Sequence, residues 1–204
     1  KAKFSLDSFD EYCLEFALDR GFSIINDISG FRAQEARAAV AGSDVGLVTM
    51  HMLGDSPATM QANPVYADVV AEVGRFLMDS RQALLDAGVA PERICLDPGF
   101  GFGKTLAHNL ALYRGIPAWA SVAPVLVGVS RKSMLGAITG QPVERRLAAS
   151  LAGALAGVQM GAIIVRVHDV PETVQALAVW TAIGLPAAAG SVHIGDGHPG
   201  RPAK

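Results

Sequence analysis

The sequence carries little net charge, only two cysteines and no long unbroken apolar run, and each scarcity removes a class of protein. A formal net charge of −2 over 204 residues leaves no clustered Lys and Arg surface of the kind nucleic acid needs. Two cysteines are too few for a disulfide framework. Cys13 lies in a helical pattern and Cys95 in an apolar strand; both read as buried thiols in a reducing, cytoplasmic setting. No stretch of about 18 apolar residues runs free of a charge or a glycine break, so no membrane-spanning helix is expected. The opening KAKFSLDSFD lacks the apolar core of a signal peptide. What is present is a chain that is 50% hydrophobic and 18% charged, enough to bury one core and too apolar to stay unfolded.

Short aliphatic runs alternate with helical patterns along the chain. The runs cover residues 3–6, 23–26, 45–51, 93–97, 125–129 and 162–168, without clean polar alternation. That suits strands of a parallel sheet buried on both faces. Helical patterns cover 9–20, 34–40, 66–87, 107–115, 143–160 and 171–183. In the 66–87 stretch, Val69, Val70, Val73, Phe76, Leu77, Leu84 and Leu85 recur at the spacing of a buried helix stripe. Six strand–helix units make an α/β architecture, open or closed on this count alone. Asp7, Asn26, His51, Asp97, Ser130, Lys132 and His168 fall at strand ends. Sites assembled from several strand ends belong to barrels, whereas open sheets gather ligand contacts at one switch point. The expected fold is a TIM-type (β/α)8 barrel shortened at its N-terminus to about six units. Its domain spans 1–185, with 186–204 expected as a disordered tail.

Four motifs carry polar chemistry. DPGFGFGK (97–104) runs a carboxylate into a glycine-rich turn whose two phenylalanines suit a pocket wall. SRKS (130–133) puts two cations and two hydroxyls before a short helix, a candidate anion site. RVHD (166–169) places Arg166 and His168 two apart on a strand, hence on one side. In IINDI, adjacent Asn26 and Asp27 face opposite ways, so only one of them faces the interior.

These segments resemble successive signatures of the dihydropteroate synthases: FSLDSF, IINDISGF, MHMLGDSPATMQ and NPVY, ICLDPGFGFGK, VLVGVSRKSMLG and IIVRVHDV. The resemblance covers about residues 4–183. It implies a (β/α)8 barrel that condenses 6-hydroxymethyl-7,8-dihydropterin diphosphate with 4-aminobenzoate, giving dihydropteroate and diphosphate with Mg2+ assisting. It places Asp7, Asn26 and Asp97 around the pterin, with Asp7 as a buried anion beside a cationic pterin methylene. Met50 packs on the ring. Lys132 reaches the pterin carbonyl and ring nitrogen, with Gly128 leaving room for it. Arg166 lies over the ring and, with His168, holds diphosphate. Phe102 and Ser133 frame the aminobenzoate. Asp7, Lys132 and Arg166 are the implied catalytic residues. The resemblance also implies a homodimer and a sulfonamide target, while charge and the lack of a long apolar run leave neither nucleic acid nor membrane as an expected partner.

The family's NVTPDSF and GGxSTRPG segments, with its magnesium ligand and two mobile loops, have no counterpart here. A shortened synthase is expected, with pterin recognition better kept than turnover. Two rivals remain: an inactive pterin-binding module, and the barrel of a pterin-binding methyltransferase, which should lack both the SRKS lysine and the DPGFGFGK loop.

Overall fold

A computed structural model describes residues 3–54 and 64–184, and the backbone of 193–196. Parallel strands alternate with helices in chain order. They are β1 (Ser5–Asp7), α1 (Glu11–Asp19), β2 (Ile24–Asp27), α2 (Gln34–Ala41), β3 (Gly46–Met50), α3 (Val69–Asp86) and β4 (Ile94–Asp97). There follow α4 (Leu106–Ala120), β5 (Leu126–Val127), α5 (Ser133–Thr139), α6 (Leu147–Gln159), β6 (Ile164–Val167), α7 (Val170–Ala182) and β7 (His193–Asp196). The strands pair in sequence order as β1-β2-β3-β4 and β5-β6-β7. A parallel bridge between Leu96 and Val125 joins the two groups into one sheet.

Alternation along the strands sorts side chains between two faces. Ile25, Leu47, Ile94, Leu96, Val125 and Val127 are all buried against the helices. Val73, Leu77 and Leu84 of α3 meet them with no exposure, each worth roughly 2 kcal/mol of burial. Asp68 caps α3 by accepting from the Val70 and Ala71 amides, both at 3.0 Å. On the other face Val48, Cys95 and Leu126 pack with Ile24 and Ile164 as a small separate cluster.

The structure departs from the sequence expectations in four places. The 107–115 helix continues to Ala120 through Pro117, because Ile116 and Trp119 stay buried. Gly115 suits that packing, since a β-carbon there would meet Val70 at 2.8 Å. The 143–160 pattern divides into a short 3-10 turn and α6. Cys13 is only half-buried, while Cys95 is buried. Within the expected tail, His193–Asp196 pairs in parallel with β6 as a seventh strand; residues 185–192 and 197–204 of that stretch lie outside the described residues.

Gly99 fixes the loop after β4. Its φ is +67°, and a β-carbon there would lie 1.9 Å from the His51 carbonyl oxygen. Gly99→Ala is expected to lower unfolding free energy by about 3 kcal/mol, read as the shift in urea midpoint.

Candidate active site

At the C-terminal ends of the strands the inner face turns from apolar to polar. Asp7, Asn26, Met50, Asp97, Gly128 and Arg166 stand two residues beyond Ser5, Ile24, Val48, Cys95, Leu126 and Ile164, and therefore on the same face. Arg166 organises this layer. Its Nη2 donates to Asp97 Oδ2 at 3.0 Å and its Nη1 to Asn26 Oδ1 at 3.2 Å. Asn26 Nδ2 in turn donates to Asp7 Oδ1 at 2.9 Å. In a flat sheet, β6 and β2 would be four strand spacings apart, about 19 Å. No arginine spans that distance, so the sheet curls into a barrel arc. The choice between open and closed architectures, left undecided by the strand count, is made by this contact.

Several sequence expectations change in detail. Of the Asn26–Asp27 pair, Asn26 faces the site. Asp27 turns away and accepts from the Ser29 and Phe31 amides at 2.6 and 3.0 Å. Burial, the largest influence on it, raises the Asp27 pKa against those bonds. Asp7 is exposed rather than buried, since β1 pairs only with β2 among the described residues. The room at Gly128 belongs to Arg166, whose Nε and Nη2 would lie 3.1 Å from a β-carbon there; the sequence reading had given it to Lys132. Arg166 and His168 do not act as one clamp here, because Arg166 reaches across to Asp97 while His168 bonds Ser130 Oγ at 3.0 Å.

The SRKS side chains also diverge instead of forming one anion cluster. Arg131 takes a positive φ of 59°, which turns the chain between its neighbours. Ser130 is buried beneath His168, and Arg131 pairs with Asp169 through two hydrogen bonds. Lys132 folds back, donating to the Phe100 carbonyl with Nζ 4.8 Å from the Phe102 ring centroid. Burial pulls the Lys132 pKa down to about 8, with Asp97 opposing and Arg166 assisting. Ser133 begins α5 and is exposed. Met50 is fully buried beside Asp97 in the strand register. Phe102 is half-buried at the mouth, whereas Phe100 enters the core against Tyr113, so one of the two phenylalanines is no pocket wall.

The sequence reading missed what holds the DPGFGFGK loop. Lys104 is 6% exposed, and its ammonium donates to the Gly99 carbonyl at 2.9 Å, the Phe102 carbonyl at 3.0 Å and His51 Nδ1 at 3.0 Å. Its three N–H donors are thus taken up, with the His51 carbonyl a further, longer contact at 3.4 Å. Asp97 Oδ1 accepts from the Gly99 amide and Asn109 Oδ1 from the Gly101 amide, both at 2.8 Å. Burial draws the Lys104 pKa down to about 7, with Asp97 opposing. Burial, then Lys104 and Arg32, lowers His51 to about 3. No spacing rule links His51 to Lys104, which are 53 residues apart; only the folded loop joins them.

Among the described residues, no three His, Cys, Asp or Glu side chains group to hold a metal ion.

With this geometry in hand, similarity to known proteins is decisive. The family model described as pterin binding enzyme matches residues 1–168. The chain belongs to the pterin-binding enzyme family. It is 47% identical to the dihydropteroate synthase of Neisseria meningitidis serogroup B over 188 residues, covering 89% of this chain and 66% of that protein. Among solved structures, it superposes on dihydropteroate synthase from Stenotrophomonas maltophilia with active site-bound imidazole at a TM-score of 0.86 and 45% identity. That match covers 90% of this chain and 69% of the other. The Xanthomonas albilineans enzyme in complex with 7,8-dihydropteroate matches at a TM-score of 0.82 and 42% identity, covering 90% and 68%. The fold is therefore that of the dihydropteroate synthase barrels, and the chain spans about two thirds of the length of these relatives.

The buried His51 gives this family member a specific acid sensitivity. Its folded pKa, about 3, lies below the ordinary 6.5. As pH falls through about 6.5, the unfolded chain takes up the proton first. The stability His51 contributes is thus present above that pH and lost below it, at up to about 1.4 kcal/mol per pH unit. Urea unfolding between pH 7 and pH 4 is expected to show this slope, and His51→Gln to flatten it.

Proposed function

We propose that the chain carries the pterin-binding side of a dihydropteroate synthase site. In this reading it is a transferase of folate synthesis that joins 6-hydroxymethyl-7,8-dihydropterin diphosphate to 4-aminobenzoate. The observation that carries the reading is the Asp97–Arg166–Asn26–Asp7 relay across the barrel mouth. Each Asp97 oxygen already accepts one bond and keeps a lone pair free. A carboxylate so held is preorganised to accept the adjacent N–H donors of a pterin's amino-pyrimidine edge. Lys132 stands over Phe102, suited to the pterin carbonyl and ring nitrogen, with Met50 against the ring.

The reaction is substitution at the pterin methylene. The carbon–oxygen bond to diphosphate breaks, and the aromatic amine supplies the new bond and loses a proton. His168 at the rim stabilises charge on the leaving diphosphate, while Arg166, held to Asp97 and Asn26, adds its positive charge to the mouth. The exposed Asp7 at the rim favours positive charge developing on the methylene. Phe102 and Ser133 frame the aminobenzoate, the position a sulfonamide would take. No covalent nucleophile is required. Mg2+ belongs to the same reading as a group that would neutralise diphosphate charge. A homodimer is supported by exposed Val174, Val179 and Ile183 on and beside α7. A reducing, cytoplasmic setting is supported by the two unpaired cysteines; no helix among the described residues is long and apolar enough to cross a membrane.

Calorimetric titration with 6-hydroxymethylpterin, alongside an assay of dihydropteroate formation, tests the proposal. Asp97→Asn is expected to weaken pterin binding at least about 30-fold, near 2 kcal/mol. Unchanged affinity would overturn the assignment. Pterin binding by the wild-type chain without turnover would favour the non-enzymatic module.

A further inference from the structure

His168 leaves the end of β6 with an exposed ring, yet one edge of that ring is fixed. Its Nδ1 lies 3.0 Å from the Ser130 hydroxyl, and its own backbone N–H donates to the same oxygen at 3.2 Å. Ser130 is 5% exposed. A hydroxyl has one proton to give and two lone pairs to fill. The His168 amide fills one lone pair. If the hydroxyl proton goes to Nδ1, every group at this contact is matched. If Nδ1 carried a proton instead, the hydroxyl would spend both lone pairs on His168, and its own proton would need an acceptor that the described residues do not provide.

The surrounding backbone explains why Ser130 is available for this task. Arg131 at positive φ turns Ser130 under the β6 end and sends Lys132 the other way, into the pterin side of the mouth. Ser150 Oγ accepts from the Arg131 amide at 2.9 Å, and Arg146 Nη1 donates to the Arg131 carbonyl at 3.0 Å. The Arg131–Asp169 ion pair ties the residue beside Ser130 to the residue beside His168. Two loops that hold different parts of a ligand are thereby locked to each other.

We propose that Ser130 is a positioning residue that fixes the tautomer and orientation of His168, so that Nε2–H faces the barrel mouth as a hydrogen-bond donor to a diphosphate oxygen. Burial, followed by the neighbouring Arg131 and with Lys132 and Arg166 adding to it, lowers the His168 pKa against the pull of Asp169. These influences favour the uncharged ring, and in that form its attraction for an anion depends on which nitrogen carries the proton. With the proton on Nε2 it donates to the anion. With the proton on Nδ1 it turns a lone pair toward phosphate oxygens and repels them. The ligand part of this inference rests on the reading that diphosphate lies at His168; the tautomer part does not.

Long-range proton–nitrogen NMR of the 15N-labelled chain at pH 8 tests it, with His168→Gln assigning the signals. The wild type is expected to show an unprotonated Nδ1 and a protonated Nε2. Ser130→Ala should raise the Nδ1-protonated population several-fold, and Ser130→Thr, which keeps the hydroxyl, should restore the wild-type pattern. In parallel, titration with inorganic pyrophosphate should give a dissociation constant about 5- to 10-fold weaker in Ser130→Ala, and near wild type in Ser130→Thr. A wild-type Nδ1–H signal, or a tautomer ratio unmoved by Ser130→Ala, overturns the proposal. A shifted tautomer with unchanged pyrophosphate affinity overturns the role in binding. Failure of the wild-type chain to bind pyrophosphate overturns instead the reading of diphosphate at His168, and leaves the tautomer result to stand separately.

Discussion

The bond network of Arg166 is the constraint on which the rest of the site depends. One guanidinium, rooted on β6, meets a carboxylate on β4 and an amide on β2. It can do so only if the sheet curls. Asp97 is 1% exposed, and a carboxylate buried to that degree needs a cation and hydrogen bonds in place of the water it has lost. Arg166 and the Gly99 amide supply them. The cation is in turn held in place by Gly128, whose missing side chain is the space it occupies. Removing one partner of such a pair typically costs about 3–5 kcal/mol, so geometry and charge at the mouth stand or fall together.

Two lysines act on the glycine-rich loop from opposite sides. Lys104 holds the Gly99 and Phe102 carbonyls from within, and Lys132 meets the Phe100 carbonyl and the Phe102 ring from the mouth. A loop with this much glycine would otherwise lose its shape to backbone entropy. Its order comes from saturating its carbonyls with ammonium donors, and the cost of burying Lys104 is offset by three well-placed acceptors. A rigid loop is what allows Asp97 and Phe102 to present fixed groups to a ligand.

Much of the site was legible in the sequence because strand periodicity is strict. Asn26, Asp97 and Arg166 could be assigned to strand ends, and the signature segments named the family and with it Met50. What stayed illegible was which partner each side chain would choose. Arg166 and His168 share a strand face and yet serve different neighbours. The four residues of SRKS are contiguous and yet point three ways, because Arg131 takes a left-handed conformation that no propensity assigns to arginine. The sequence pattern ends a helix at Gly115, and burial of Ile116 and Trp119 carries it on through Pro117.

Composition, the alternation of strands and helices, and the order of the polar strand ends determined the fold class and the chemistry the chain has available. These depend on local rules: the two-residue period of a strand, the 3.6-residue period of a helix, and the backbone freedom of glycine. Tertiary structure alone decided the curl of the sheet, the burial of Lys104 against His51, the exposure of Asp7 on a strand with one neighbour among the described residues, and the contact between Ser130 and His168. Each of these joins residues between 38 and 140 positions apart or depends on which strand has a neighbour. Such contacts are set by the closing of the sheet, which no local pattern encodes.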